Sequence, residues 1–263
     1  VETVAVDEEG FPLEQGDYQM AGVADPGVEI KVAFVEPAGS MTGKLFPSGN
    51  TEDTIIVETP TALLAPFSVQ ATLIDAANPF VVVDAEGLPL TSLQGSSEWL
   101  QTIEDIRRKG AVMMGLADSI DQAALTRGTP KIMIVSSPPA TDPLAATGPT
   151  PDIAVLSMSM GQLHPSVQLT GAVCLAAATC LKGTVAYRCR RRSNLRRSSL
   201  ISEFKKLVPQ DQHATQPGET IVIAHRSGQI PVGVHVQGPG RIEKCVVSRT
   251  ARKLFEGHVL FYL

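Results

Sequence analysis

SMSMGQLHPSVQLTGAVCLAAATCLKG, residues 157–183, is the stretch whose reading decides the fold. From Thr170 to Leu181 the residues are apolar or tiny on every side, with Ala172-Val173-Cys174-Leu175-Ala176-Ala177-Ala178 at the centre. A helix without a polar face has no side to give to water, so it must lie inside the protein. Thr170 reads as its N-cap and Gly183 as its C′ residue, with Lys182 set against the negative end of the dipole. The pattern predicts a central helix over 170–182 that strands can approach closely, because its residues are small. Ahead of it, Ser159-Met160-Gly161 and His164 read as a polar, turn-like lead into the helix start. Free N–H groups and the positive dipole end favour a carboxylate or another anion there.

Working outward, apolar runs alternate with turns. Residues 1–36 give Val4-Ala5-Val6, Asp7-Glu8-Glu9-Gly10, Gly16-Asp17 and Ile30 to Val35, the signature of antiparallel strands and loops. Residues 37–50 are too rich in Gly and Pro for regular structure. Within them G-S-M-T-G-K lacks the G-x-x-x-x-G-K-[ST] spacing, and Leu45 follows Lys44, so a nucleotide phosphate loop is disfavoured. A self-ordered loop and a loop lining a cleft both remain open. Strands are expected at 54–57, 68–74 and 80–83. Between the last two, Pro79 pushes Asn78 out of the helical region and makes a tight connection. Asp75 and Asn78 are thereby held at strand ends, either to bind their own backbone or to contact a ligand.

Ser96 or Ser97 can cap a helix in which Leu100, Ile103, Ile106, Met113 and Leu116 form the apolar side. Glu104, Asp105, Arg107, Arg108 and Lys109 fall mostly on the other side and read as solvated. A shorter helix begins at Asp118, a strand covers 131–135, and 137–151 reads as a surface loop. Six arginines occur between Arg188 and Arg197. Aromatic residues are scarce around them, so a solvated loop is preferred over a nucleic-acid site. Further strand-like segments lie at 220–225, 232–237, 242–248 and 258–263.

The totals narrow the classes. Of 263 residues 43% are apolar and 19% charged, ample for a core and unlike a disordered chain. A net charge of −5 argues against general affinity for nucleic acid or membrane surfaces. Cys174, Cys180, Cys189 and Cys245 show no metal spacing and read as free thiols of a reducing compartment. No run of eighteen apolar residues exists to span a bilayer. The expected setting is cytoplasmic.

Five ordered blocks carry a family resemblance: F-V-E-P-A-G-S-M-T-G-K-L-F-P-S-G-N (34–50), I-D-A-A-N-P-F (74–80), S-M-S-M-G-Q-L-H (157–164), T-G-A-V-C-L-A (170–176) and R-T-A-R-K-L-F-E-G (249–257). Together they resemble the methylitaconate isomerase, aconitate isomerase and oxalomesaconate tautomerase family, which includes the aconitate-isomerising accessory protein of the 2-methylcitrate cycle. The resemblance implies an α+β, diaminopimelate epimerase-like fold, a curved sheet or barrel around a buried helix with the site in a cleft between two domains. Members of that family place a catalytic lysine and cysteine in a first-domain region expected upstream of Val1. The chain is therefore expected to hold the remainder of a truncated first domain (1–50), a second domain (51–248) and a terminal strand returning to the first (249–263).

The function so implied is shifting or inverting a carbon–carbon double bond in an unsaturated di- or tricarboxylate, by proton transfer without metal or organic cofactor. His164 is the candidate proton shuttle or carboxylate ligand. Gly39, Ser40, Asp75, Asn78, Ser159, Met160, Thr170 and Gly171 are the candidate substrate contacts. The expected partner is a small polycarboxylate, with no nucleic acid or membrane; a homodimer is compatible. Two alternatives stay open: a non-catalytic remnant, and an amino-acid racemase of the same fold. The racemase is disfavoured because Gln168, Leu169 and Thr170, and no cysteine, precede Gly171.

Overall fold

Phe80-Val81-Val82-Val83 is apolar without interruption, as a strand buried on both faces must be. The computed structural model, which describes residues 1–58, 65–89, 94–138, 149–238 except 205–217, 240–252 and 257–258, shows why. Phe80 and Val82 join one core, whereas Val81 and Val83 join another on the opposite face.

The described strands are β1 (Glu2–Val4), β2 (Ile30–Val35), β3 (Asp53–Val57), β4 (Phe67–Asp75), β5 (Pro79–Asp84), β6 (Lys131–Ser136), β7 (Ile153–Ser159), β8 (Gln162–Leu163), β9 (Glu219–His225), β10 (Gly228–Val236) and β11 (Ile242–Arg249). They form one sheet in the order β1-β2-β11-β10-β9-β7-β6-β5-β4-β3, with β8 paired to β7. The β5–β6 and β7–β9 pairs are parallel and the others antiparallel. The helices are α1 (Ser97–Met113), α2 (Ile120–Leu125), α3 (Leu169–Cys180) and α4 (Val185–Phe204).

Helix α3 is the axis. Every residue from Gly171 to Thr179 is buried, and α3 touches β4, β5, β9, β10 and β11. Since β4 and β11 lie far apart in the sheet order, the sheet must curve around the helix. On the outer face α1 packs Trp99, Ile103 and Ile106 against Leu73, Val81 and Ile132. Gly110 makes that approach possible, because a Cβ there would lie 2.5 Å from Val81 Cγ2.

Several expectations are corrected. The N-cap of α3 is Gln168, not Thr170, which is already its second helical residue; the helix ends at Cys180 rather than 182. Residues 157–159 are the end of β7, and only Met160 and Gly161 turn, both at positive φ, as a two-residue hairpin requires. The arginine-rich segment is helix α4, not a solvated loop. Three of its arginines are drawn in by acids: Arg188 pairs with Glu52, Arg190 with Asp152 and Glu219, and Arg192 with Asp84 and Glu86. Arg107 of α1 is not solvated either. It is buried and holds Glu104 together with the carbonyls of Ala123, Thr126 and Pro130.

Residues 1–50 are tied into the same sheet as the rest of the chain. β2 pairs with β11 through six residue pairs, and Ala38 bridges Ala76 at the end of β4. The terminal strand expected at 258–263 lies largely outside the described residues, as does most of the 137–151 loop.

Candidate functional site

The N-terminus of α3 is the natural starting point, because nothing in its own cap closes it. Gln168 is extended and makes no capping hydrogen bond. Its side chain turns back to β7, accepting from the Ser157 hydroxyl and donating to the Met158 carbonyl at 3.1 Å. Gln168 thus fixes the helix start on the sheet while leaving the first-turn amides of Leu169, Thr170 and Gly171 uncapped. Such amides and the dipole behind them attract an anion.

Two elements stand at this tip. The Asn78-Pro79 connection is one. A Cβ on Gly171 would lie 3.0 Å from Phe80 Cζ, so any larger residue would require the ring at the start of β5 to give way by a few tenths of an ångström. The second is β6, where Lys131 pairs in register with Phe80 and its ammonium stands 6.0 Å from the centre of the Phe80 ring. Lys131 Nζ donates to the Gly128 carbonyl at 3.1 Å, and burial pushes its pKa down. Phe80 therefore carries the helix tip at its edge and a partly buried cation over its face.

The 39–44 loop is held by Asp75. That carboxylate is fully buried and accepts from Met41 N at 2.8 Å, Thr42 N at 2.7 Å, Thr42 Oγ1 at 2.9 Å and the Ser40 hydroxyl. With four donors already on it, Asp75 is a loop anchor and not a substrate contact. Ser40 spends its hydroxyl on the same carboxylate. Gly39, at φ +70°, would carry a Cβ 2.6 Å from the Gly43 carbonyl carbon, and its amide donates to the Asp75 carbonyl at 2.8 Å. Gly39 and Ser40 thus shape the loop.

Of the other expected contacts, Gly171 at the helix start lies against the ring of Phe80, two residues beyond Asn78. Ser159 ends β7, paired with Gln162, and Met160 is the exposed first residue of the hairpin turn. Arg127 lies across Gly161 of that turn. His164 is turned elsewhere. Its amide donates to the Ser157 carbonyl and its Nδ1 accepts the Ser166 amide at 3.1 Å. A neutral ring so held carries its proton on Nε2.

Lys131 was missed because its place depends on the β5–β6 pairing, which no local pattern announces. The thiols offer no second catalytic group here. Cys174 lies a turn inside α3, with Sγ 4.0 Å from the Ile74 carbonyl, and burial pushes its pKa far up.

With this geometry in hand, comparison with known proteins gives the affiliation. A family model described as PrpF protein matches residues 1–201. The chain belongs to the PrpF family. Among similar relatives, a 2-methyl-aconitate isomerase of Shewanella oneidensis is 31% identical over 95% of this chain and 60% of its own length. The 3-methylitaconate isomerase of Eubacterium barkeri is 26% identical over 96% of this chain and 61% of its own length. The crystal structure of a methylitaconate-delta-isomerase superposes with a TM-score of 0.73 at 26% identity, covering 98% of this chain and 62% of that one. The α+β, diaminopimelate epimerase-like fold is therefore the one adopted. The chain spans about 60% of the length of the curated relatives it matches.

Proposed function

We propose that this PrpF-family chain is the carboxylate-binding part of an isomerase that shifts or inverts a C=C bond in an unsaturated di- or tricarboxylate, without a cofactor and in the cytoplasm. The observation that carries the reading is the uncapped start of α3 against the Asn78-Pro79-Phe80 turn. A base from the part of the enzyme that this chain does not cover, where the family resemblance expects the lysine and cysteine, takes a proton from an allylic carbon and leaves an electron pair that must spread into the neighbouring carboxylate. Donors aimed at the growing charge lower that barrier. The amides of Leu169, Thr170 and Gly171 supply them, and Lys131 adds positive charge across Phe80. Return of the proton at the far end of the allylic system moves the double bond; return after rotation inverts it.

The buried Cys174 speaks against an amino-acid racemase, which would need an ionisable thiol at the helix start. Among the described residues no single helix is long and apolar enough to cross a membrane. The test is the 263-residue chain in deuterated water with cis-aconitate, followed by proton NMR. The chain alone is expected to bind cis-aconitate, broadening its resonances, without exchanging its protons; joined to the part of a PrpF-family relative that it does not cover, it is expected to bring deuterium into the allylic position while the double bond moves or inverts. Substrate resonances untouched by the chain, or protons and geometry kept with that part supplied, contradict the proposal, and deuterium at the α-carbon of an amino acid would favour the racemase.

A further inference from the structure

A second concave region of about 560 Å³ opens beneath residues 18–23, walled by the 165–167 segment, the β9–β10 turn and the end of β11. Its volume falls within the range of small-molecule sites. Met20, Val23, Val222 and Ile230 give it apolar walls, and Arg249, His225 and Gln229 are among its polar groups. Arg249 makes no ion pair with a described carboxylate, and its guanidinium reaches only Met20 Sδ at 3.8 Å. Glu29, beside the sheet partner of Arg249, is engaged instead by Ser248 and Lys31.

His225 is buried at the cavity wall. Its Nδ1 accepts the Ser227 amide at 3.2 Å and stands 3.3 Å from Ser166 Oγ, so a neutral ring holds its proton on Nε2. The amide nitrogen of Gln229, also in the wall, is buried with no hydrogen-bond partner among the described residues. A buried donor left alone is a standing penalty that an acceptor ligand removes.

We infer that this cavity binds the carboxylate of a small organic acid, with Arg249 as the charged fork and the His225 Nε2–H and Gln229 amide as neutral donors. One planar guanidinium matches one carboxylate. Apolar walls then receive the carbon body of the acid. The site goes beyond the isomerase reading, since none of its donors belongs to the α3 tip.

The experiment titrates the 263-residue chain with itaconate and, separately, with inorganic phosphate, following the His225 ring proton by NMR and affinity by calorimetry. Itaconate is expected to move the His225 resonance, and Arg249→Met to weaken binding at least about tenfold. Arg249→Lys, which keeps the charge but not the fork, should fall between, and it serves if the methionine variant does not fold. An unmoved His225 resonance, equal binding by Arg249→Met or Arg249→Lys, or phosphate binding as tightly as itaconate would overturn the inference. Loss of binding in Gly171→Ala but not in the Arg249 variants would place the ligand at the helix tip. That outcome overturns the cavity site while leaving the function proposal standing.

Discussion

Two consecutive helices, α3 and α4, meet at a 69° bend and begin in opposite ways. At the start of α4 the buried Thr184 hydroxyl accepts the Tyr187 amide at 3.0 Å and donates to the Ala178 carbonyl at 2.6 Å. At the start of α3 the cap residue gives its side chain to the sheet and leaves the helix amides uncapped. The bodies differ as well. α3 is apolar all round and enclosed, whereas α4 spreads arginines over acids from β5, β9 and the loops between. A helix that serves only as structure closes its own end, and the open one is the one that faces the candidate site.

The largest effect should come from the enclosed rod. Leu175→Ala removes a fully buried side chain on α3 and is expected to lower stability by about 3 kcal/mol, whereas Leu195→Ala on the exposed side of α4 should change it by less than about 0.5 kcal/mol. Urea unfolding of both variants checks the contrast, and equal losses would break it.

Next is the support under the segment that feeds α3, where His225 stands beside Ser166. Burial, with Arg249 and His164 nearby, pushes the His225 pKa down from 6.5 to about 4. The unfolded chain therefore binds the extra proton first. The stability tied to the neutral ring is whole above pH 6.5 and is lost as the pH falls toward 4, up to about 3 kcal/mol. His225→Gln should flatten stability across that window, and an unchanged slope would show that other groups set it.

Thr184→Ala comes third. Loss of the α4 cap is expected to destabilise by about 1–2 kcal/mol, read as a lower melting temperature. If it left stability untouched, the difference between the two helix starts would have no energetic content.

Much of this was legible in the chain itself. The run of small apolar residues at 172–178 could only be buried, and Phe80 to Val83 announced a strand. The five family blocks added the fold. Less legible was anything set by partners distant in sequence. Nothing near Gln168 says that its amide prefers Ser157 and Met158 to the helix end. Arg188 to Arg197 look like a solvated run until acids at 52, 84, 152 and 219 arrive beside three of them. Asp75 and Ser40, singled out as ligand contacts, satisfy each other across thirty-five residues of chain. Lys131 needed β5 and β6 to pair before it reached Phe80.

The most direct measurement tracks the backbone amides by ¹H–¹⁵N NMR as tricarballylate, a saturated tricarboxylate, is added to the 263-residue chain. The account predicts that the resonances of Leu169, Thr170 and Gly171 shift with ligand while Ala186 and Tyr187, at the capped start of α4, stay in place. Stationary resonances at the α3 tip, or equal shifts at both helix starts, would contradict it.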